Sequence, residues 1–116
     1  MLDLTVFYKI IDAAAWSHAA DTGVFKGAAI DLNDGYIHLS TAAQVRETAR
    51  LHFAGVENLQ LVAIDESVVA RDLKWEASRG GQLFPHVYGV IDPTQILWAR
   101  PLPWDGAAHI FPPEFE

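Results

Sequence analysis

The chain of 116 residues contains no cysteine. That absence excludes a disulfide scaffold, a thiolate zinc site, a cysteine-ligated iron–sulfur cluster and a cysteine nucleophile. Basic residues are scarce: eight Lys and Arg against fifteen Asp and Glu leave a formal charge of −7. Duplex binding draws most of its affinity from a basic face that neutralises phosphates, so nucleic acid is disfavoured as a main partner. No apolar run approaches the roughly 18 residues that cross a bilayer, which argues against a membrane partner. The opening stretch MLDLTVFYKIIDAAAW places Asp3 and Asp12 where a signal peptide carries positive charge and then small residues. These absences predict a cytoplasmic protein. GxGxxG, Walker, GxSxG and HExxH motifs are absent too.

What remains is apolar: 51% of residues are hydrophobic and 20% charged. That mix suits one compact domain with a real core. Leu4 to Ile11 reads as a central strand, with Lys9 its one charge. Asp12 caps an alanine-rich helix through Ala20, stopped by Gly23. Lys26 to Gly35 reads as loop, with Asn33, Asp34 and Gly35 a turn signal. In the next strand, Tyr36 to Ser40, period-2 spacing puts Tyr36, His38 and Ser40 on one face and Ile37 and Leu39 on the other. Thr41 and Gln44 match a capping box for a helix to about Ala54, whose stripe Val45, Ala49, His52, Phe53 and Val56 should face the core. Leu59 to Ile64 reads as a strand, and Asp65 caps a short turn, Glu66 to Ala70. Strands follow at Leu73 to Glu76, at Leu83 to Tyr88 and at Ile96 to Leu102; Pro85 places the second at an edge or bulge. Helices early and strands late predict an α+β domain over residues 1–103. Residues 104–116, rich in proline and aromatics, should lie extended over it.

Two clusters hold polar residues that a core does not need. Tyr36, His38 and Ser40 share a strand face that ends at a helix start, a seat for phosphate or carboxylate beside a proton-moving histidine. The plainer account is that Ser40 caps the helix and His38 is a satisfied core histidine. The second cluster is LKWEASRGGQLFPHVYG, residues 73 to 89. There Trp75, Phe84 and Tyr88 offer an aromatic wall, Arg79 a clamp for an anion beside Ser78, and Glu76 and His86 acid–base groups. An ordinary exposed hairpin is the plainer account. Lys9 sits either at the sheet's mouth or paired inside, with Glu76 or an Asp, or protects a sheet edge. His18 and His109 read as exposed. His38, His52 and His86 have no spacing that demands a metal, and none is predicted.

The stretches YKI, DLNDGYIHLSTAAQV and LKWEASRGGQLFPHVYG resemble the bacterial family called "domain of unknown function 952", over about residues 7 to 103. YIHLSTAAQVRETA, with the turn after FPHVYG, is more distantly similar to the RNA 2′-phosphotransferase branch of the ADP-ribosyltransferase fold. That resemblance implies a split mixed or antiparallel β-sheet, two main helices, and a cleft that grips NAD as substrate. It places Tyr8 and Lys9 at the strand-one site and Tyr36 and His38 at the strand-two site, with Glu76 or Arg79 as the late residue. Lys9 stands where that fold usually shows a histidine, and 116 residues leave no room for the RNA-binding lobe.

Two functions stay open. One is an enzyme acting at the ribose C1′ of NAD or an ADP-ribose derivative. Its catalytic residues would be His38, Glu76 and His86, and its ligand contacts Lys9, Tyr36, Ser40, Trp75, Ser78, Arg79 and Tyr88. The other is a module that binds an anionic metabolite, nucleotide or peptide without turnover. A homodimer built on Trp104, Phe111 and Phe115 is a third, structural use of the tail.

Overall fold

A run of β-branched and aromatic residues broken by Lys9 and ended by Asp12 forms the interior strand β1 (Val6–Asp12). The computed structural model describes residues 5–115, the side chain of Arg79 excepted; Leu4, the expected first strand residue, lies outside that range. The Asp12 carboxylate accepts from the Ala15 N–H and opens helix α1 (Ala13–Thr22), which buries Trp16 and Ala19. The stretch expected to be loop contains a helix, α2 (Ala29–Asp34), ended by Gly35 at φ 89°. The Asn-Asp-Gly signal is thus a helix C-terminus, where a residue without a Cβ takes the left-handed conformation most easily.

The expected strand 36–40 is two strands. Tyr8 pairs with Ser40 of β3 (Ser40–Thr41), whereas His38 of β2 (Ile37–His38) pairs with His86 of β6 (Leu83–Val87). Leu39 is therefore the point where the chain crosses from one sheet to the other. The first sheet runs β3-β1-β4-β7, with β4 (Leu59–Asp65) and β7 (Trp98–Pro101); the second runs β2-β6-β5, with β5 (Leu73–Ala77). All pairings in both are antiparallel. Helix α3 (Ala42–His52) and the short α4 (Glu66–Val69) make four α-helices in the described residues. The fold is α+β.

Pro85 lies in the middle strand of its sheet, not at an edge. Its carbonyl accepts from the Leu39 N–H at 3.0 Å. Since the N–H and C=O of one antiparallel residue point the same way, its missing donor faces the crossing at Leu39, where no ladder bond is required.

Alternation along β1 divides the core. Phe7 and Ile11 pack with Ile37, Leu39, Val62 and Val87 between the sheets. Tyr8 and Ile10 pack with Val45, Ala49 and Leu102 under α3. The tail does not run extended: Trp104 bridges His109, and Phe111 and Phe115 fold back onto this second cluster. His109, expected to be exposed, is buried and donates from Nε2 to the Val56 carbonyl at 2.9 Å. No helix among the described residues is long and apolar enough to cross a membrane.

Candidate functional site

Where the two sheets part, they leave a cavity of about 510 Å³. Tyr8, Lys9 and Ile10 of β1, Ile30 and Asp34 of α2, Tyr36, His38, Leu39 and Ser40, and Phe84 and His86 of β6 line it. Helix α3 contributes Thr48 and His52, with Phe53 just beyond. His52 was expected in the core; it is exposed because the last turn of α3 overhangs the cavity.

The inner wall is a buried charge network. Lys9 is 6% exposed and Asp31 1%. A lysine this deep in a sheet needs a carboxylate. The Lys9 Nζ lies 2.8 Å from Asp31 Oδ2 and 3.0 Å from Oδ1, and donates at 3.0 Å to the His38 carbonyl. Asp31 also accepts from the Ala28 N–H at 2.8 Å, the His38 N–H at 3.1 Å and His38 Nδ1 at 2.7 Å. Burial pushes the Asp31 carboxyl up, but the His38 hydrogen bond, the Lys9 charge and the remaining hydrogen bonds outweigh it and hold the group at about 2. Burial likewise pulls Lys9 down against the attraction of Asp31. On the other side of its ring, His38 Nε2 lies 3.0 Å from Asp34 Oδ2. The imidazole is thus held between two carboxylates of one short helix.

The second wall is built on β6. His86, 2% exposed, places Nδ1 2.8 Å from Glu76 Oε1. The Tyr88 hydroxyl donates to the same oxygen at 2.7 Å. The hydrogen bonds from His86 and Tyr88 hold Glu76 below its ordinary value, and its carboxylate pushes the Tyr88 phenol up to about 12. An ionised Glu76 only accepts, so His86 Nδ1 donates to it, and a neutral ring then carries its lone pair on Nε2. No group among the described residues bonds that Nε2. Tyr36 stacks on His86 at 4.3 Å and contacts the His38 ring at 4.6 Å. Burial, with Asp34 and Glu76 nearby, raises the Tyr36 phenol.

Of the sequence candidates, Lys9, Tyr36, His38, Ser40, Ser78 and His86 line this one cavity, with Glu76 and Tyr88 directly behind His86. Trp75 is corrected. Alternation along β5 turns it to the opposite face from Glu76, where it packs edge-on against Phe7 with centroids 5.5 Å apart. The Arg79 side chain lies outside the described residues. The first turn of α3, expected to seat an anion, does not line the cavity; its start is closed by Gln44, whose Oε1 accepts from the Thr41 N–H. Sequence reasoning missed Asp31 and Asp34, which lie in the stretch taken for loop. A buried Lys9 already required a carboxylate, and DLND was the nearest acidic run to His38. No group of three or more His, Cys, Asp or Glu side chains among the described residues is placed to hold a metal ion.

The family model described as "Protein of unknown function (DUF952)" matches residues 10–99. No curated protein matches the chain. Among solved structures, the crystal structure of Protein CC0527 from Caulobacter crescentus is 42% identical, with a TM-score of 0.86 over 91% of this chain and 94% of that one. The solution NMR structure of the same protein gives a TM-score of 0.80 over 90% of each chain.

Proposed function

The chain belongs to the DUF952 family, and from its site we propose that the cavity binds a small molecule of the NAD or ADP-ribose class and that His86 exchanges a proton with it. One observation carries this reading: His86 is buried in the cavity wall, its Nδ1 is fixed by Glu76, and its Nε2 is open to the cavity. That arrangement is what a general base requires. The resemblance to the ADP-ribosyltransferase fold supplies the substrate class, and the parting of two sheets around the cavity supports it.

In the transfer, the C1′–nitrogen bond breaks and nicotinamide leaves with the electron pair. An acceptor oxygen bonds to C1′ and loses its proton to His86 Nε2. Glu76 steadies the imidazolium, and Tyr88 steadies Glu76. His38, engaged at both ring nitrogens, shapes the wall that the ring or ribose meets.

Calorimetry with NAD and with ADP-ribose at millimolar concentration tests binding, and nicotinamide release tests turnover. Binding that H86A weakens about tenfold supports the reading. Failure of both ligands to bind removes it. Binding without release selects the module without turnover, a second reading favoured by the degree to which Lys9 and His38 are already engaged.

A further inference from the structure

We infer that the outer edge of β5 pairs with the same edge of a second copy of this chain, antiparallel and centred on Trp75. Strand β5 is the outer strand of its sheet, and no described strand continues the sheet beyond it. At its two ends the Tyr88 N–H donates to the Asp72 carbonyl at 2.8 Å, and the Ser78 N–H to the Gln82 carbonyl at 2.9 Å. Bonding direction alternates along a strand, so Lys74 and Glu76 also turn their backbone groups to β6, opposite His86 and Phe84. Trp75, opposite Pro85, and Ala77, opposite Leu83, turn their N–H and C=O outward. Leu73 faces outward too; its N–H is taken by the Ala70 carbonyl, and its own carbonyl remains. Such an edge is a template for another strand.

What selects a second copy is the strand sequence LKWEA, which is complementary to itself. About a two-fold axis through Trp75, position 74 falls opposite position 76, and 73 opposite 77. Each Lys74 then faces Glu76 of the partner subunit, Trp75 meets the partner's Trp75, and Leu73 meets the partner's Ala77. The outward backbone groups agree with this register: the Trp75 N–H reaches the carbonyl of the partner's Trp75, and the Leu73 carbonyl accepts from the N–H of the partner's Ala77. Moving the axis by one residue sets lysine against lysine or glutamate against glutamate, and brings the wrong backbone groups to the edge. Exposure points the same way. Trp75 is 44% exposed although it packs on Phe7, and Leu83, on the same face of β6, is 54% exposed. On the other face, Glu76 Oε1 holds His86 Nδ1 and the Tyr88 hydroxyl, while Lys74 lies over the Tyr88 ring at 4.7 Å. The second copy therefore brings a cation to the carboxylate that fixes His86.

The test follows the full chain, without ligand, by sedimentation over a dilution series and by amide exchange at both ends of that series. A dimer is expected in which the Trp75 and Ala77 amides are protected and lose that protection on dilution. The Lys74 and Glu76 amides should stay protected throughout, because β6 holds them. K74E and E76K are each expected to weaken self-association at least about tenfold, since each sets like charges opposite one another across the axis. Mixed in equal amounts, the two variants should associate with near-native affinity, because their charges then oppose again. A native chain that stays monomeric at about 1 mM overturns the inference and leaves Lys74 as a guard of the edge. So does a dimer whose Trp75 and Ala77 amides exchange as fast in concentrated as in dilute solution. So does a mixture that fails to associate while both variants keep native amide protection in β6. No nucleotide enters these measurements, so their failure leaves the ligand class of the cavity to its own calorimetric test.

Discussion

Lys9 and Asp31 are each buried because the other is. Removing one partner of such a pair leaves a charge without compensation in a low-dielectric wall, which costs about 3–5 kcal/mol. D31A is therefore expected to lower the folding free energy by about that amount in urea denaturation. Adding K9M to D31A should then recover stability, since the stranded ammonium is gone; a further loss as large as the first would show that the pair does not act as a unit. Asp31 also sets an acid limit. Its carboxyl titrates at about 2 in the fold against an ordinary 3.8. A lowered folded value contributes stability that is complete above the unfolded value and is lost as pH falls through the folded one, here about 2 kcal/mol. The native chain should lose more stability than D31N between about pH 4.5 and pH 2, and equal losses would remove Asp31 as the cause. Lys9 stood out in the sequence as the lone charge of an apolar strand, with an internal pair one of the readings left open. Asp31 did not, because nothing local separates a buried aspartate from the exposed Asp34 three positions on.

Elements were legible where one face is apolar. Strand β1 was legible as a strand, and of the stripe expected on α3 Val45 and Ala49 are buried whereas His52 and Val56 are exposed; the Thr41–Gln44 signal marks where α3 begins. Helix α2 carries none: Ile30 and Leu32 are both exposed, and what docks it is the Asp31 carboxylate reaching Lys9, His38 and Ala28. Periodicity cannot detect a helix held by hydrogen bonds instead of apolar burial. The crossing at Leu39 was hidden for a similar reason, because a strand that changes sheets keeps its period of two. The docking of α2 depends on Gly27, which sits at φ 124° and would bring any Cβ within 2.7 Å of the Asp31 Cβ. G27A is expected to cost at least about 1–2 kcal/mol, through backbone strain and displacement of Asp31 together. The Ala28 and His38 amides should exchange faster with solvent in the variant. Unchanged protection at both would mean that α2 does not need this close approach.

At the scale of the whole molecule, β1 and α3 serve both the cavity and the second core cluster, whereas the described tail residues serve only the cluster. The cavity opens where the two sheets separate, while the other face of the first sheet is covered by α3 and the folded-back tail. Composition alone pointed to an acidic, apolar domain. It gave no sign that the tail aromatics would be used internally: Phe115 meets Tyr8 at 5.0 Å, and the Arg46 guanidinium sits over Phe111 at 4.5 Å and Phe115 at 4.8 Å. No tail residue lines the cavity. A chain ending at Pro103 should accordingly lose about 3–5 kcal/mol, the cost typical of deleting large aromatic side chains from a packed cluster. Its urea midpoint should fall, and Tyr8 and Trp98 should become accessible to fluorescence quenchers. In the fraction that stays folded, the His86 and Tyr36 signals should keep their positions, since the walls that hold them belong to β2, β5, β6 and α2. If those signals move as far as the Tyr8 signals do, the cavity is not built independently of the tail.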